Sequence, residues 1–361
     1  MDTRIVTLIL TRGCNLRCEY CYVQYDDKEA MSLETAQKII CDEMSQASNG
    51  VKLVISFLGG EPFTEFCRLR EICEWLWSER WAVPYYISVV TNGTIITDEI
   101  RQWLIENHNR LYLTLSYDGV IEAQNKNRSN RASNIDLDFF HKYWPEIPIK
   151  MTITEDNVGT MYDNITYLNQ KGILVNDTFA DNSPAWRTES LELLDLQLSK
   201  LCAYYLVNQN IKPSEILNIN LIPVLTKNKR DIFDCGAGKD KITYDAHGTA
   251  YICHLLSPLA LSDCELQKLE IDLRNPKEST KCAECVLTPI CSFCPGMSFL
   301  SKRTCWVRED KNCSLFKHQV YHACSYQLRK ILGKKSSVQQ LDDYDKYTYL
   351  SIKYIISKNI I

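Results

Sequence analysis

Short runs of β-branched and aromatic residues alternate with segments of helical period through the first half of the chain. Ile5–Leu10, Val51–Phe57, Tyr85–Val90, Leu111–Ser116, Ile149–Ile153 and Gly172–Asn176 each read as a strand bounded by turn residues. Between them, Ser32 reads as an N-cap, and Leu33, Ala36, Ile39, Ile40 and Met44 fall on one helical face. Further helical patterns run near Glu65–Trp77, Asp98–Asn107, Asp136–Tyr143 and Asp163–Gln170. This alternation predicts an α/β fold with a parallel sheet covered by helices, an open, partial (β/α)6 version of the eight-unit barrel. A longer helical stretch, Glu189–Asn208, leads to Pro213 and Pro223, and the expected domain boundary falls there. The division reads 1–222 for the barrel, 223–330 for a small cysteine-rich domain and 331–361 for a tail. That tail is charged at first, then rich in tyrosine and isoleucine, and the sequence assigns it no role.

Composition narrows the classes. The 361 residues are 45% hydrophobic and 24% charged, an ordinary globular balance. The net charge of −4 gives no electrostatic footprint for a nucleic-acid partner. No apolar run reaches the roughly 18 residues of a membrane span. The start, Met1-Asp2-Thr3-Arg4, lacks the order of a signal peptide. Cysteine is the outlier, at 17. In a long chain without an export signal, clustered cysteines read as metal ligands in a reducing, cytoplasmic setting rather than as a disulfide framework.

The first cluster is Cys14-Asn15-Leu16-Arg17-Cys18-Glu19-Tyr20-Cys21, a C-x3-C-x2-C spacing at the end of the first strand. Three thiolates on one loop can hold three irons of a [4Fe–4S] cube and leave the fourth iron open to a small ligand. A structural zinc site closes with four ligands, so a zinc knuckle is the poorer reading. The spacing, the aromatic Tyr20 before the third cysteine and the place after a first strand together resemble the radical S-adenosylmethionine (SAM) superfamily.

That resemblance implies several roles. The open iron would chelate the amino and carboxylate groups of SAM, and one electron would cleave SAM to a 5′-deoxyadenosyl radical that abstracts a hydrogen atom from a substrate. Gly59-Gly60-Glu61-Pro62, after the second strand, looks like the family's SAM amino-binding loop. Tyr20, Asn92, Ser116 and Arg128 resemble positions that line the SAM pocket, with Arg128 facing the carboxylate. Relatives often carry His-Asp before that arginine, where this chain has Gln124-Asn125. An electron donor such as flavodoxin or ferredoxin is expected.

The second cluster places Cys235, Gly248 and Cys253 in a C-x12-G-x4-C frame, then Cys282, Cys285, Cys291 and Cys294, then Cys313. This resembles the SPASM extension of radical SAM maturases, which binds two auxiliary [4Fe–4S] clusters. The carried-over sets are Cys282, Cys285, Cys291 and Cys313 for one cluster, and Cys235, Cys253 and Cys294 for the other. Cys305, Cys324 and Asp240 are candidates for a missing ligand, and a zinc ribbon at Cys282–Cys294 is the alternative. The segment from Cys235 to Cys324 offers little apolar material and is expected to depend on metal for its order. Cys41, Cys67, Cys73, Cys202 and Cys264 stand alone and read as buried small hydrophobes.

Proteins of this architecture mostly modify peptides or proteins. The resemblance therefore implies a peptide or protein substrate, with maturation of a ribosomally made peptide ahead of formylglycine generation in a sulfatase. The sulfatase group has Asp after the cysteine matching Cys253. This chain has His254, a candidate base. Only a short segment precedes Cys14, so leader recognition is expected elsewhere or on another protein. A SAM- or metal-binding regulator without turnover is the reading from a different class.

Overall fold

The computed structural model describes residues 2–26, 29–47, 50–180, 186–226, 235–274, 282, 284–291, 294–307, 310–334 and 341–359. The chain divides into two compact units, Met1–Lys150 with Cys235–Arg274, and Met151–Asp234 with Asn275–Ile361. The segment Cys235–Arg274 thus shares a unit with the N-terminal sheet.

In the first unit, strands β1 (Asp2–Thr11), β2 (Val51–Gly59), β3 (Tyr85–Thr91) and β4 (Leu111–Leu115) alternate with helices α1 (Leu33–Gln46), α2 (Phe66–Ser78) and α3 (Asp98–Asn107). Two later strands, β7 (Lys241–Tyr244) and β8 (Ala250–Tyr251), complete a sheet of order β4-β3-β2-β1-β7-β8. All neighbours are parallel except the β7–β8 hairpin. β1 lies inside the sheet, and its run Val6, Leu8, Ile9 and Leu10 is at most 1% exposed. Near-continuous apolar sequence is what a parallel strand covered on both faces requires. Leu8 pairs with Phe57 of β2 on one side and Tyr244 of β7 on the other. The helices start where the sequence marks them. Ser32 Oγ accepts the Thr35 N–H at 3.0 Å, and Thr97 Oγ1 accepts that of Ile100 at 3.3 Å. Helices α4 (Ile121–Asn127) and α5 (Leu137–Tyr143) follow β4, and α5 is capped by Asp136.

Strand β5 (Ile149–Ile153) pairs with β6 (Val175–Phe179), joined by α6 (Met161–Gln170). The strand expected at Gly172–Asn176 begins later, because Gly172 adopts φ +76° and closes α6. This is the mixed α/β, parallel-strand class that the alternation predicted.

The second unit contains α7 (Thr188–Val207), α8 (Pro223–Thr226), α10 (Pro295–Lys302), α11 (Asp310–Lys334) and α12 (Asp343–Ser357). Helix α9 (Asp263–Arg274) belongs to the first unit. A core of Leu221, Val224, Leu287, Ile290, Phe316, Val320, Cys324, Ile352 and Ile355 fills the second unit. The C-terminal region is therefore better supplied with apolar material than its sequence suggested, and the tail contributes a helix to that core. Asp195 of α7 cross-links α11 by accepting from His322 Nε2 and His318 Nδ1, each at 2.9 Å.

On β6, Asp177 is 1% exposed and accepts from the Ser214 hydroxyl and, at 2.9 Å, from the Glu215 N–H. Burial raises its pKa to about 6 despite those donors. Between pH 4 and 6 the folded state keeps a proton that the unfolded chain releases, so this group's contribution to stability falls as pH rises through that window. Asp177→Asn should remove that slope, by up to roughly 3 kcal/mol. The check is thermal unfolding of both proteins from pH 4 to 7, in which the variant must gain relative to wild type as pH rises.

Candidate active site

The loop that carries Cys14, Cys18 and Cys21 leaves the end of β1 under tight backbone control. Gly13 N–H donates to Thr11 Oγ1 at 3.0 Å, and Cys21 N–H to the Cys18 carbonyl at 3.1 Å. Gly59 and Gly60 lie directly against it. Gly60 N–H donates to Thr11 O at 2.9 Å, and Glu61 N–H to Gly13 O at 2.8 Å. A Cβ on Gly59 would sit 2.1 Å from Thr11 O, and one on Gly60 2.1 Å from Gly13 O. Close approach, not a turn alone, is the reason for both glycines. Pro62 opens a buried 3-10 turn, Pro62–Glu65.

Glu61 is 1% exposed, and its carboxylate is engaged by protein groups. It accepts from the Asn92 N–H at 2.6 Å, the Thr91 hydroxyl at 2.8 Å and the Phe63 N–H at 3.1 Å. Burial still pushes its pKa up to about 7. Glu61 thus ties the loop after β2 to the end of β3. The Asn92 side chain reaches from there to the cysteine loop, donating to Asn15 Oδ1 at 2.9 Å and lying 4.0 Å from Cys14 Sγ. Asn15 in turn donates to Thr94 Oγ1 at 2.7 Å. Ser116, at the end of β4, donates its N–H to Thr91 O at 2.8 Å.

Asp118 is the second hub. Its carboxylate accepts from Tyr20 OH at 2.6 Å, from Arg128 Nε at 3.0 Å and Nη2 at 3.1 Å, and from Asn127 Nδ2 at 3.2 Å. Arg128, 6% exposed, also lies 5.3 Å from the Tyr20 ring centroid. Gln124, where relatives carry His, accepts the Asp118 N–H at 2.8 Å. Arg128 and Tyr20, both expected at the SAM pocket, are thereby locked together, and Asp118 is the residue that locks them.

The thiols are half-buried. Burial raises Cys14 to about 12 and Cys18 to about 11; the charges of Cys18 and Cys21 add to the first, while Arg128 lowers the second. Two half-buried thiols that resist ionisation suit a cationic centre that takes them as thiolates. Among the described residues, no three or more His, Cys, Asp or Glu side chains gather close enough to chelate one ion. A cube instead divides its thiolates among separate irons. Nearby, the Tyr25 hydroxyl is buried with no hydrogen-bond partner among the described residues. The residues present fit a [4Fe–4S] cube at this loop.

The auxiliary candidates fall in both units. In the first, the Gly238 N–H donates to Ile252 O at 3.1 Å, which draws the turn after Cys235 against the residue before Cys253. Gly248, at φ +84°, turns the β7–β8 hairpin, and Asp245 Oδ1 accepts the N–H groups of His247 and Thr249 there. His254 lies 5.9 Å from the Tyr22 ring, and burial, then Lys150 and Lys241, lowers its pKa to about 4. It is neutral at physiological pH. In the second unit, Cys285 N–H donates to Cys282 O and Cys291 N–H to Thr288 O, both at 3.3 Å, and Cys294 caps α10. Cys313 lies on α11. Cys305 and Cys324 are buried, the latter within the apolar core. Of the five isolated cysteines, Cys73 and Cys202 are buried as expected. Cys41, Cys67 and Cys264 are exposed, because each falls on the outward side of its helix.

Two substitutions probe this construction. Gly60→Ala should displace the cysteine loop and cut iron uptake, read as iron per chain, with stability reduced by about 1–3 kcal/mol. Asp118→Ala should cost roughly 3–5 kcal/mol by stranding a buried guanidinium. The double variant Asp118→Ala/Arg128→Met should recover most of that loss in denaturant unfolding.

Comparison with known proteins agrees with this geometry. Residues 8–120 match the family model described as the Radical SAM superfamily. The radical SAM cyclopropyl synthase TigE of Paramaledivibacter caminithermalis is 28% identical over 194 residues, 49% of this chain and 36% of that protein. The Fe-coproporphyrin III synthase of Methanosarcina barkeri is 33% identical over 161 residues, 43% of this chain and 38% of that protein. The matched stretches span 36% to 58% of the length of the first curated relatives. In fold, anSMEcpe with bound AdoMet superposes with a TM-score of 0.67 at 18% identity, over 92% of this chain and 99% of that one. Streptococcus suis SuiB bound to the precursor peptide SuiA superposes with a TM-score of 0.58 at 15% identity, over 86% and 76%. The residues that match this family model include the cysteine loop, the Gly59–Pro62 turn, Asn92 and Ser116.

Proposed function

We propose that this protein is a radical SAM enzyme that oxidatively modifies a peptide or protein, with maturation of a ribosomally made peptide as the first reading. The observation that carries it is the loop of three half-buried thiols, Cys14, Cys18 and Cys21, packed against a glycine pair at a distance that admits no side chain. A [4Fe–4S] cluster held there with SAM would supply one-electron cleavage of the sulfonium and hydrogen-atom abstraction from the substrate. The chain's own part is placement. Gly59, Gly60, Glu61 and Pro62 shape the SAM amino end, Asn92 and Ser116 line the pocket, and Asp118 holds Arg128 and Tyr20 in fixed positions. Cys282, Cys285, Cys291 and Cys313, and Cys235, Cys253 and Cys294, are the proposed auxiliary ligand sets. A small reduced electron carrier of the flavodoxin or ferredoxin kind would serve as donor. By function we divide the chain at residues 222 and 330.

The peptide substrate is supported by two fold neighbours, SuiB bound to precursor peptide SuiA and anSMEcpe bound to the Cp18Cys peptide. Formylglycine generation is the second reading, supported by the near-complete overlap with anSMEcpe. His254 weighs against it, since an imidazole held near pKa 4 is a weak base at neutral pH. Among the described residues no helix is long and apolar enough to cross a membrane.

Anaerobic reconstitution should load about twelve irons per chain, four per cube. The chain should then release 5′-deoxyadenosine from SAM under reducing conditions. Replacing Cys14, Cys18 and Cys21 by Ala should abolish that release and remove about four irons. About four irons plus tight zinc in the wild type would refute the auxiliary clusters, and 5′-deoxyadenosine from the triple variant would refute the active site. A fully loaded protein that never yields 5′-deoxyadenosine would point to a binding protein without turnover.

A further inference from the structure

Thr7 interrupts the apolar run of β1. It pairs with Thr243 of β7 on one side and with Ser56 of β2 on the other. Ser56 pairs with Ser88 of β3, and Ser88 with Tyr112 of β4. Residues paired in this way point to the same face of a sheet. Five adjacent strands thus place five hydroxyl-bearing side chains on one face at one level, a belt roughly 19 Å long at the usual strand spacing. The other face is apolar there: Leu8, Phe57 and Ile87 are 0% exposed. A sheet face with only packing to do would be apolar on both sides.

The protein makes no use of these hydroxyls. Among the described residues none of the five enters a hydrogen bond, although Thr243 is only 3% exposed. Buried hydroxyls nearly always find a partner. Each offers one donor and two acceptor lone pairs, which suits the alternating N–H and C=O groups of a peptide main chain. Two cations flank the belt. One level nearer the strand starts, Lys241, Ile5, Val54 and Tyr86 share the same face. The Lys52 ammonium lies 3.4 Å from the centroid of the Tyr86 ring, and that ring packs on Tyr112 with centroids 5.3 Å apart. Three strand spacings, roughly 14 Å, separate Lys241 from Tyr86. Among the described residues neither lysine has a carboxylate partner, in a chain of net charge −4. Asp245, just beyond β7, is already taken: it accepts from Tyr251 OH at 3.1 Å and from the His247 and Thr249 N–H groups.

We propose that this face docks an extended, carboxylate-bearing segment of the peptide substrate, with the hydroxyl belt taking its main chain and Lys52 and Lys241 its acidic side chains. The inference rests on the proposed function, which is what makes the peptide a substrate. Thr7, Ser56 and Ser88 stand three or four residues before the strand ends Thr11, Gly59 and Thr91. That is roughly 10–13 Å along the strands from the cysteine loop and the Gly59–Pro62 turn. A segment seated on the belt needs only a few further residues to reach the radical site. Opposite charge on the segment adds specificity and speeds encounter.

The test is fluorescence anisotropy of the anaerobically reconstituted full chain with SAM. The probes are three hexapeptides of Gly alternating with Glu, Gln or Lys, each carrying an uncharged fluorophore. The Glu peptide should bind about tenfold tighter than either of the others, and its binding should weaken with added salt. Lys52→Met/Lys241→Met should weaken it about tenfold, and Ser56→Ala/Ser88→Ala about fivefold. Both variants should release 5′-deoxyadenosine from SAM at the wild-type rate, since neither alters the cysteine loop or the Gly59–Pro62 turn. The wild-type preference among the three peptides decides the matter even where a variant fails to fold. Equal binding of the three peptides, binding of none, or Glu-peptide binding that neither variant weakens would overturn the inference alone, in a chain that releases 5′-deoxyadenosine. A wild-type chain that never releases it would overturn the proposed function, and with it the standing of the peptide as a substrate.

Discussion

A carboxylate sealed from water must find donors inside the protein, and Glu61 finds three. Its oxygens take the Asn92 and Phe63 N–H groups and the Thr91 hydroxyl, which joins the turn after β2 to the end of β3. The same turn is bonded through its backbone to Thr11 and Gly13 at the end of β1. Three consecutive strand ends are thereby fixed to one another at the edge where the cysteine loop begins. The arrangement works only because Gly59 and Gly60 let two backbones meet at a distance that a side chain would fill. The charge and the glycines are parts of one constraint.

Asp118 repeats this logic on the other side of the loop. A buried guanidinium needs a carboxylate partner, and the fork of Nε and Nη2 onto Asp118 supplies it. Tyr20 adds its hydroxyl to the same carboxylate, which fixes the aromatic residue beside Cys18 and Cys21. Glu61 and Asp118 hold the cysteine loop between them through Asn92, Asn15 and Tyr20. Burial raises the pKa of Cys14 and Cys18 within that frame.

What the sequence made legible was whatever depends on near neighbours. The six strands of the first half and their capped helices follow from period and turn residues, and they stand within a few residues of their expected places. What escaped had no such local mark. Helix α4 buries Gln124 and Asn127 and exposes Ile121, so it shows no apolar stripe. Helix α12 buries Asp345, Thr348 and Ser351 beside Ile352 and Ile355, and its polar residues disguised a packed face as a solvated tail. On α11, Cys324 read as a spare ligand and proved to be core. The exposed Cys41, Cys67 and Cys264 show that a lone cysteine carries no burial signal of its own.

The sequence by itself determined the α/β class, the cysteine spacings and the chemistry that three thiols on one loop can support, because these rest on intervals of a few residues. It also marked Gly59, Gly60, Glu61 and Arg128 without saying what each touches. Only the tertiary structure decided that Glu61 clamps β2 to β3 and that Asp118 rather than solvent neutralises Arg128. Those outcomes depend on groups brought together from distant parts of the chain, such as Glu61 with Thr91 and Tyr20 with Asp118. Desolvation acts on a charge only after the chain has closed around it, so no local pattern could encode which partner each buried charge would find.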